Sequence, residues 1–138
     1  MTAKEYLSQA CHIDQLINSK LEQVQSLRRL ASKTTVILHD GNYQSSKNPK
    51  SMEDIIVKII DLENEINRDI DTLINLKRRI MEIINQINKA EYRTLLELRY
   101  LCGKTWEEIS AEMLHSVRNI HNIHSAALHE FGKIFAVI

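Results

Sequence analysis

The chain has little of what strands and turns require. Its 138 residues include three glycines and one proline, and aromatic residues make up 5% of it. A composition so poor in strand formers and turn residues favours long helices over a sheet. The hydrophobic share of 43% is too high for a disordered chain. The length allows one domain, or one small domain with an extension.

Excess positive charge and paired cysteines are also lacking. The formal net charge is zero, and residues 90–138 carry five basic against six acidic side chains, a net charge of −1. This argues against a strongly basic nucleic-acid binder, because phosphate contacts normally require a positive surface. The two cysteines, Cys11 and Cys102, are far apart and form no motif. With no signal peptide or membrane-length apolar run, we expect reduced thiols in a cytoplasmic protein that spans no membrane.

Two long helices are predicted first, over Ala3–Leu38 and Met52–Asn88. Residues 40–51 contain Gly41 and Pro49 and are predicted to be the loop between them, with Ser51 capping the second helix. Such a loop makes the helices antiparallel. The apolar stripe of the first helix recurs at steps of three, four or seven residues: Tyr6, Ala10, Ile13, Ile17, Val24, Leu27 and Ala31.

The second helix has the heptad pattern of a coiled coil. With position a at Met52, only Asp69 interrupts the seam. Position e adds Ile56, Ile70 and Ile84, so the stripe is wider than a two-stranded seam needs. A third or fourth helix is therefore expected, from this chain or from a second copy in a homodimer. The seam comprises Met52, Ile59, Ile66, Leu73, Ile80 and Ile87 at a, and Ile55, Leu62, Asp69, Leu76 and Ile83 at d.

Lys20 and Asp69 are the polar residues within the two seams, and they lie about equally far from the middle of the loop. We hypothesise that they pair and fix the register of the hairpin. The alternative is that each charged group extends separately to solvent.

The stretch Thr94–Leu128 has the layout of a helix-turn-helix. A support helix is predicted over Glu91–Leu101, with Leu95, Leu98 and Leu101 facing inward and Gly103 as a left-handed cap. The next helix is predicted over Trp106–Met113. It begins with a capping box, Thr105 to Glu108, and should bury Ile109 and Met113 while Trp106 covers the seam.

The last helix follows a break at residues 114–116, with Ser116 as its N-cap. Its predicted buried face consists of Ile120, Ile123, Ala127, Leu128 and Phe131. The opposite face is polar and would meet bases and phosphates if the unit binds DNA, since arginine suits guanine and asparagine suits adenine. The candidate DNA contacts are Ser116, Arg118, Asn119, His121, Asn122 and Ser125, with Val117 beside them. Lys77, Arg78 and Arg79 on the long helix could contact the DNA backbone or could be a solvated face.

These residues resemble a known family. The run Leu95 to Tyr100, then Gly103, Trp106 to Ile109, Arg118, Ile120, Ile123-His124 and Ala127-Leu128, is similar to small phage and prophage proteins of Gram-positive bacteria, grouped with ArpU-like late-gene regulators. Their C-terminal part is similar to region 4 of sigma-70-type factors. The segment Ile59 to Asn67 and the first helix also resemble the family's N-terminal half, so the resemblance covers nearly the whole chain.

The resemblance implies a DNA-binding, sigma-like regulator that acts with host RNA polymerase. This sequence departs from the family pattern in three places. The family's turn usually carries Gly and Tyr where Leu114 and His115 stand, and its recognition helix often has an aromatic where His121 stands and a basic residue where Asn122 stands. These changes remove positive charge from the recognition helix.

The histidines of the last quarter raise a different possibility. A zinc site would need further ligands, and no cysteine-rich partner accompanies His121 and His124. We expect His121 and His129 to be polar surface and His124 to be a hydrogen-bonded, part-buried ring. Alternatively, acidification charges these rings and strengthens phosphate contact. The sequence has no glycine-rich nucleotide loop, HExxH or GxSxG, so we expect no enzyme, cofactor, metal or small-molecule substrate.

The sequence therefore predicts an all-α protein: a long antiparallel helical hairpin over residues 1–89, followed by a three-helix helix-turn-helix unit over residues 90–138. The predicted function is transcription control through binding to double-stranded DNA, with host RNA polymerase as a further partner. The alternative is a module that docks on the polymerase or on another phage protein without touching DNA.

Overall fold

The computed structural model describes the backbone of residues 1–39 and 48–137 and the side chains of residues 1–33 and 52–137. Over these residues the chain is helical and contains no strand. The helices are α1 (Ala3–His39), α2 (Asn48–Ile84), α3 (Ala90–Leu96), a π-helical turn (Glu97–Leu101), α4 (Trp106–Met113) and α5 (Val117–Val137). The predicted all-α class is confirmed, with α1 and α2 packed against each other as a pair.

The chain divides into two compact units. The hairpin unit is Gln15–Thr72, and the C-terminal unit combines Met1–Asp14 with Leu73–Ile138. The functional division at residue 89 stays a prediction. Each unit has its own buried apolar side chains.

The core of the hairpin unit follows the two predicted seams. Ile17 and Val24 of α1 are buried, as are Ile55, Leu62 and Ile66 of α2. Both sets recur at the four- and seven-residue steps of a coiled coil, so each helix buries one stripe against the other.

A part-buried ion pair crosses this seam. The Lys20 ammonium lies 2.6 Å from Asp69 Oδ2 and 3.6 Å from Glu65 Oε2. The hydrogen bond to Asp69 raises the pKa of Lys20 above its usual value and outweighs desolvation, which acts in the opposite direction. The predicted pairing is confirmed, and its role in fixing the register stays a hypothesis.

Both ends of α2 differ from the prediction. The helix begins at Asn48 rather than Met52, so Ser51 is not its N-cap. Pro49 is compatible with this because a proline in the first helical turn loses no hydrogen bond. The helix ends at Ile84 rather than Asn88. There the chain tightens, with i to i+3 bonds from Gln86 N–H to the Ile83 carbonyl and from Ile87 N–H to the Ile84 carbonyl. The middle of the predicted loop, residues 40–47, lies outside the described residues.

The C-terminal unit collects its core from several helices. The largest fully buried side chains are Leu7 of α1, Ile80 and Ile84 of α2, Leu95 and Leu96 of α3, Ile109 of α4, and Ile120 and Phe131 of α5. At its edge Tyr6 stacks on Phe135, with ring centroids 4.7 Å apart. The start of α1 is thereby held against the end of α5, which fixes the base of the helix-turn-helix.

The support helix is not the uniform α-helix predicted over Glu91–Leu101. After Leu96 it widens into a π-helical turn, closed by a bond of 3.0 Å from Cys102 N–H to the Glu97 carbonyl. The extra residue turns the following side chains by about 100° relative to an α-helix. Tyr100 is consequently buried, whereas Leu98 and Leu101, predicted to face inward, are half-buried.

Candidate nucleic-acid interface

Helix α4 begins as the sequence predicts. Gly103 has φ +69° and ends the support helix as a left-handed cap. Thr105 Oγ1 accepts from the Glu108 N–H, and the Glu108 carboxylate accepts from the Thr105 N–H, both at 3.2 Å. This capping box lowers the pKa of Glu108 through the two hydrogen bonds with Thr105. Ile109 is fully buried, whereas Met113 is half-buried.

The turn between α4 and α5 is held by hydrogen bonds to one serine. Leu114 is in the left-handed region, with φ 58° and ψ 43°. Ser110 then makes two bonds across the turn: its carbonyl accepts from His115 N–H at 3.2 Å, and its hydroxyl donates to the His115 carbonyl. This geometry sends the chain into α5 after two further residues, as the break at residues 114–116 predicts.

Ser116 begins α5 as an N-cap. Its hydroxyl oxygen accepts from Asn119 N–H at 3.1 Å, and its carbonyl accepts from Ile120 N–H at 2.9 Å. The Asn119 amide is 2.8 Å from His115 Nδ1, and His115 Nε2 is 3.8 Å from Glu91 Oε1. The His115 ring thus lies between the Asn119 amide and the Glu91 carboxylate.

Helix α5 has one buried and one exposed face. The buried side chains are Ile120, Ile123, His124, Ala127 and Phe131, and Leu128, predicted among them, is half-buried. Most of the predicted contact residues lie on the solvent side: Ser116, Arg118, His121, Asn122 and Ser125 are exposed. Asn119 and Val117 are half-buried. The Ser125 hydroxyl donates to the His121 carbonyl at 3.2 Å, within the same helix.

An aromatic stack joins α4, α5 and the support helix. The Trp106 ring lies 4.7 Å, between centroids, from both His121 and His124. The Arg99 guanidinium lies 4.2 Å from the Trp106 ring centroid and donates to the Lys104 carbonyl at 2.9 Å. Trp106 thus covers the seam as predicted, and it also supports one edge of the exposed face at His121.

Beneath this stack lies a buried polar contact that sequence reasoning only half identified. Tyr100 Oη is 2.7 Å from His124 Nε2, and both residues are buried. Burial lowers the pKa of His124 to about 4 and raises the pKa of Tyr100 to about 12. His124 is the hydrogen-bonded ring we expected, and it is neutral near pH 7, which excludes it from the acid-strengthened phosphate contact. Tyr100 was missed because its burial depends on the π-helical turn.

The basic run on α2 separates into two kinds of side chain. The Lys77 ammonium donates to the Leu101 carbonyl at 3.1 Å and lies 3.8 Å from Asp14 Oδ2. It therefore binds the end of the support helix. Arg78 and Arg79 are exposed. All three belong to the C-terminal unit, as do the predicted contact residues of α5.

The local charge of α5 differs from that of the unit as a whole. Between Met113 and His129 the sequence contains no carboxylate, and Arg118 supplies a positive charge in the first turn of the helix. The nearest carboxylate on α4, Glu112, is paired with Lys104. The start of α5 therefore carries Arg118 and no carboxylate of its own, with Glu91 of α3 nearby at His115, although residues 90–138 carry a net charge of −1.

Other features of the chain bear on its chemistry. Cys11 and Cys102 are free thiols, half-buried and exposed respectively. In the part of the chain that the structure describes, no group of three or more histidine, cysteine or acidic side chains could hold a metal ion. None of the described helices is both long and apolar enough to cross a bilayer.

The chain matches a family of proteins over most of its length. A family model, DUF1492, described as a protein of unknown function, matches residues 32–131. The match includes the support helix, α4 and the exposed part of α5. No curated protein and no solved structure matches the chain. Because the model covers well over half of its length, the chain belongs to the phage-associated family DUF1492.

Proposed function

We propose that the protein is a transcription regulator that binds double-stranded DNA through α5. In this proposal the start of α5 enters the major groove, and α4 crosses the phosphate backbone. Arg118 and Asn122 read base edges, while Ser116 and the first N–H groups of α5 approach a phosphate.

The main support for the proposal is that α5 exposes one side to solvent, while its other side is packed firmly in the C-terminal unit. Arg118, His121, Asn122 and Ser125 reach solvent, whereas Ile120, Ile123 and Phe131 are buried. If α5 served only to fill the core, there would be no reason for its exposed polar face to lack carboxylates. Its position is also fixed from three directions, by the Ser116 cap, by the Trp106 stack and by the Tyr100–His124 contact.

The likeness to region 4 of sigma-70-type factors and to ArpU-like regulators belongs to the same proposal. It rests on the run Leu95 to Tyr100, on Gly103, on Trp106 to Ile109, on Arg118 and on the buried face of α5, whereas the turn at residues 114–115 departs from the family pattern. On this view the protein acts in the phage or prophage context of its family and contacts host RNA polymerase. Two copies would present two reading helices, which compensates for few charges per copy.

The proposal is tested by selection and titration. Fragments of genomic DNA that the full chain retains are sequenced, and binding to the enriched site is measured by fluorescence anisotropy at several salt concentrations. We expect affinity to fall linearly on a log–log plot as salt rises, because each phosphate contact releases counterions. Failure to enrich any sequence, together with salt-independent retention, would contradict DNA binding.

Two variants locate the contact. Arg118→Ala removes the exposed guanidinium at the start of α5, and we expect it to weaken binding at least several-fold. Lys133→Ala is the matched control, since Lys133 is exposed on the same helix and paired with Glu130 at 3.1 Å. The control should bind within twofold of wild type. Equal losses from both variants would show that the contact is not at the start of α5.

A second candidate is a protein-interaction module, favoured by the formal net charge of zero. In this case α5 would dock on a polymerase subunit or another phage protein. The selection from genomic DNA separates the two candidates, because an interaction module would enrich no DNA site and would give no salt-dependent DNA binding to titrate.

A further inference from the structure

A row of exposed polar side chains runs along the first part of α5. Arg118, His121, Asn122 and Ser125 lie at positions i, i+3, i+4 and i+7 of the helix, so they share one face, and all four are exposed. The proposed function assigns base edges to Arg118 and Asn122 and no role to His121. Among the described residues no hydrogen bond or ion pair engages the His121 ring, although its backbone carbonyl accepts from Ser125.

The His121 ring is nevertheless held in place by Trp106. The two ring centroids are 4.7 Å apart, and the rings are tilted by 51°. Trp106 is half-buried and is itself fixed, because the Arg99 guanidinium lies 4.2 Å from its ring centroid and donates to the Lys104 carbonyl. Contacts between rings restrict the rotamers of a side chain that would otherwise move freely in solvent. His121 is therefore both exposed and positioned.

The contact with Trp106 also says where on the exposed face the ring lies. Trp106 is the first residue of α4, so His121 lies where the exposed face of α5 borders the start of α4. In the proposed docking α4 crosses the phosphate backbone while the start of α5 enters the groove. A side chain at this border is therefore nearer to a phosphate than to the base edges. An imidazole suits such a place, since its ring N–H donates to an anionic oxygen and its charged form attracts one.

The charged groups around His121 are compatible with an anion at this place. On α5 itself Arg118 lies one turn before it, and no carboxylate occurs between residues 113 and 129. His124, the second histidine of the stack, is neutral near pH 7 because burial lowers its pKa to about 4. The support helix adds Arg99 to the stack. The acidic groups on the adjoining elements are Glu97, the exposed Glu107, Glu108 in the capping box and Glu112 paired with Lys104. On its own helix, therefore, the neighbours of His121 are cationic or neutral.

We propose that His121 binds a DNA phosphate and that its protonation strengthens this contact. Trp106 is the positioning residue that keeps the ring at the border of α4 and α5. The inference rests on the proposed function, because it requires that α5 meets DNA. A phosphate favours the charged imidazolium, so binding takes up a proton and the affinity for DNA rises as the pH falls. With one proton taken up, the affinity changes by at most about tenfold per pH unit.

The first test is the affinity of the full chain for its enriched DNA site at pH 8 and pH 6, measured by fluorescence anisotropy at constant salt. We expect wild type to bind about tenfold more tightly at pH 6. His121→Gln stays polar but takes up no proton, and it should lose most of this gain. His129→Gln is the matched control and should keep the gain, because His129 is exposed about two turns farther along α5, outside the stack. A wild type with equal affinity at both pH values, or a His121→Gln variant that keeps the gain, would overturn this inference and leave DNA binding intact. A chain that binds no DNA at either pH would contradict the proposed function as well.

The second test concerns the stack and needs no DNA. Trp106 is the single tryptophan of the chain, so its fluorescence reports on the ring beside it. Between pH 8 and pH 6 we expect its emission to change in wild type and in His129→Gln, because the neighbouring imidazole becomes a cation, and to stay constant in His121→Gln. Unchanged emission in wild type would contradict the inference. In the DNA assay, Trp106→Phe keeps a ring against His121 and should retain the gain at pH 6, whereas Trp106→Leu should lose most of it. Equal gains in these two variants would remove the positioning role of Trp106. If Trp106→Leu does not fold, the emission of wild type and His121→Gln still decides whether the ring is held there.

Discussion

Replacing Leu114 with glycine should stabilise the protein, even though it removes a large aliphatic side chain. Leu114 occupies the left-handed region at φ 58°, where an L-residue with a Cβ costs roughly 1–2 kcal/mol. Its side chain is 89% exposed, so almost no apolar burial is lost when it is removed. Glycine adopts this conformation freely but loses about 0.5–1 kcal/mol through greater freedom in the unfolded chain. The expected net gain for Leu114→Gly is about 0.5–1 kcal/mol.

The measurement is urea unfolding followed by circular dichroism, with the slope of the transition compared between variants. A stabilisation that acts only on the native turn raises the urea concentration at the midpoint of unfolding and leaves the dependence of the unfolding free energy on urea unchanged. The thermal midpoint should rise by about 2–4 °C. The same α5 contacts are retained, so binding of any ligand by α5 should be unaffected.

Gly103 supplies the opposite control. It has φ +69°, and a Cβ built there meets nothing within 4 Å, so the only penalty of Gly103→Ala is conformational. We expect a loss of about 1 kcal/mol. If Leu114→Gly is destabilising while Gly103→Ala behaves as expected, the Leu114 side chain must make a contact that offsets its backbone strain, and the expected gain is refuted.

Three other predictions concern buried and exposed polar contacts. Because the pKa of His124 falls from 6.5 to about 4, wild type should lose roughly 3 kcal/mol of stability as the pH falls from 6.5 to 4. In urea titrations at several pH values, the His124→Gln variant should lack this loss of stability. Identical pH profiles of the unfolding free energy for wild type and variant would refute the assignment to His124. A double-mutant cycle on Lys20→Ala and Asp69→Ala should give a larger coupling free energy than the same cycle on the exposed pair Arg28 and Glu63. Equal coupling free energies would contradict a special role of Lys20 and Asp69 in fixing the register. Arg118→Ala should lower discrimination at one base of a selected site by about 1–3 kcal/mol, and unchanged base preference would remove Arg118 from the readout.

Local signals in the sequence were sufficient where the structure depends on a few neighbouring residues. The Thr105–Glu108 capping box and the bounds of α4 follow from four residues and their hydrogen-bonding groups, and both are confirmed. The seam of α2 follows from a period sustained over five heptads. The Lys20–Asp69 pairing needed only the antiparallel arrangement and the distance of each residue from the loop.

The errors arise where the backbone departs from a uniform helix. Counting at 3.6 residues per turn places Leu98 and Leu101 in the core, and the π-helical turn replaces them with Tyr100. Similarly, the apolar period continues to Ile87, which is buried, although the helix itself ends at Ile84. An apolar period records which side chains are buried, and it does not record how the backbone brings them there.

The candidate interface was predictable only in part, because exposure and availability are different properties. The polar face of α5 follows from periodicity. The engagement of Asn119 with His115, and of Lys77 with the Leu101 carbonyl, depends on contacts between elements that a linear pattern does not record. Asn119 and Lys77 were predicted to contact DNA, but their side-chain nitrogen atoms already bind other parts of the protein.

The widened turn at residues 97–101 has a consequence for comparing relatives. It inserts one residue into the helical phase, so the positions before Glu97 and after Leu101 cannot be superposed on a single helical wheel. A relative with a regular α-helix here would be one residue shorter between the same two core layers. The gap in such an alignment belongs inside this helix rather than in a loop, and a gap placed in the following loop would pair Tyr100 with the wrong residue.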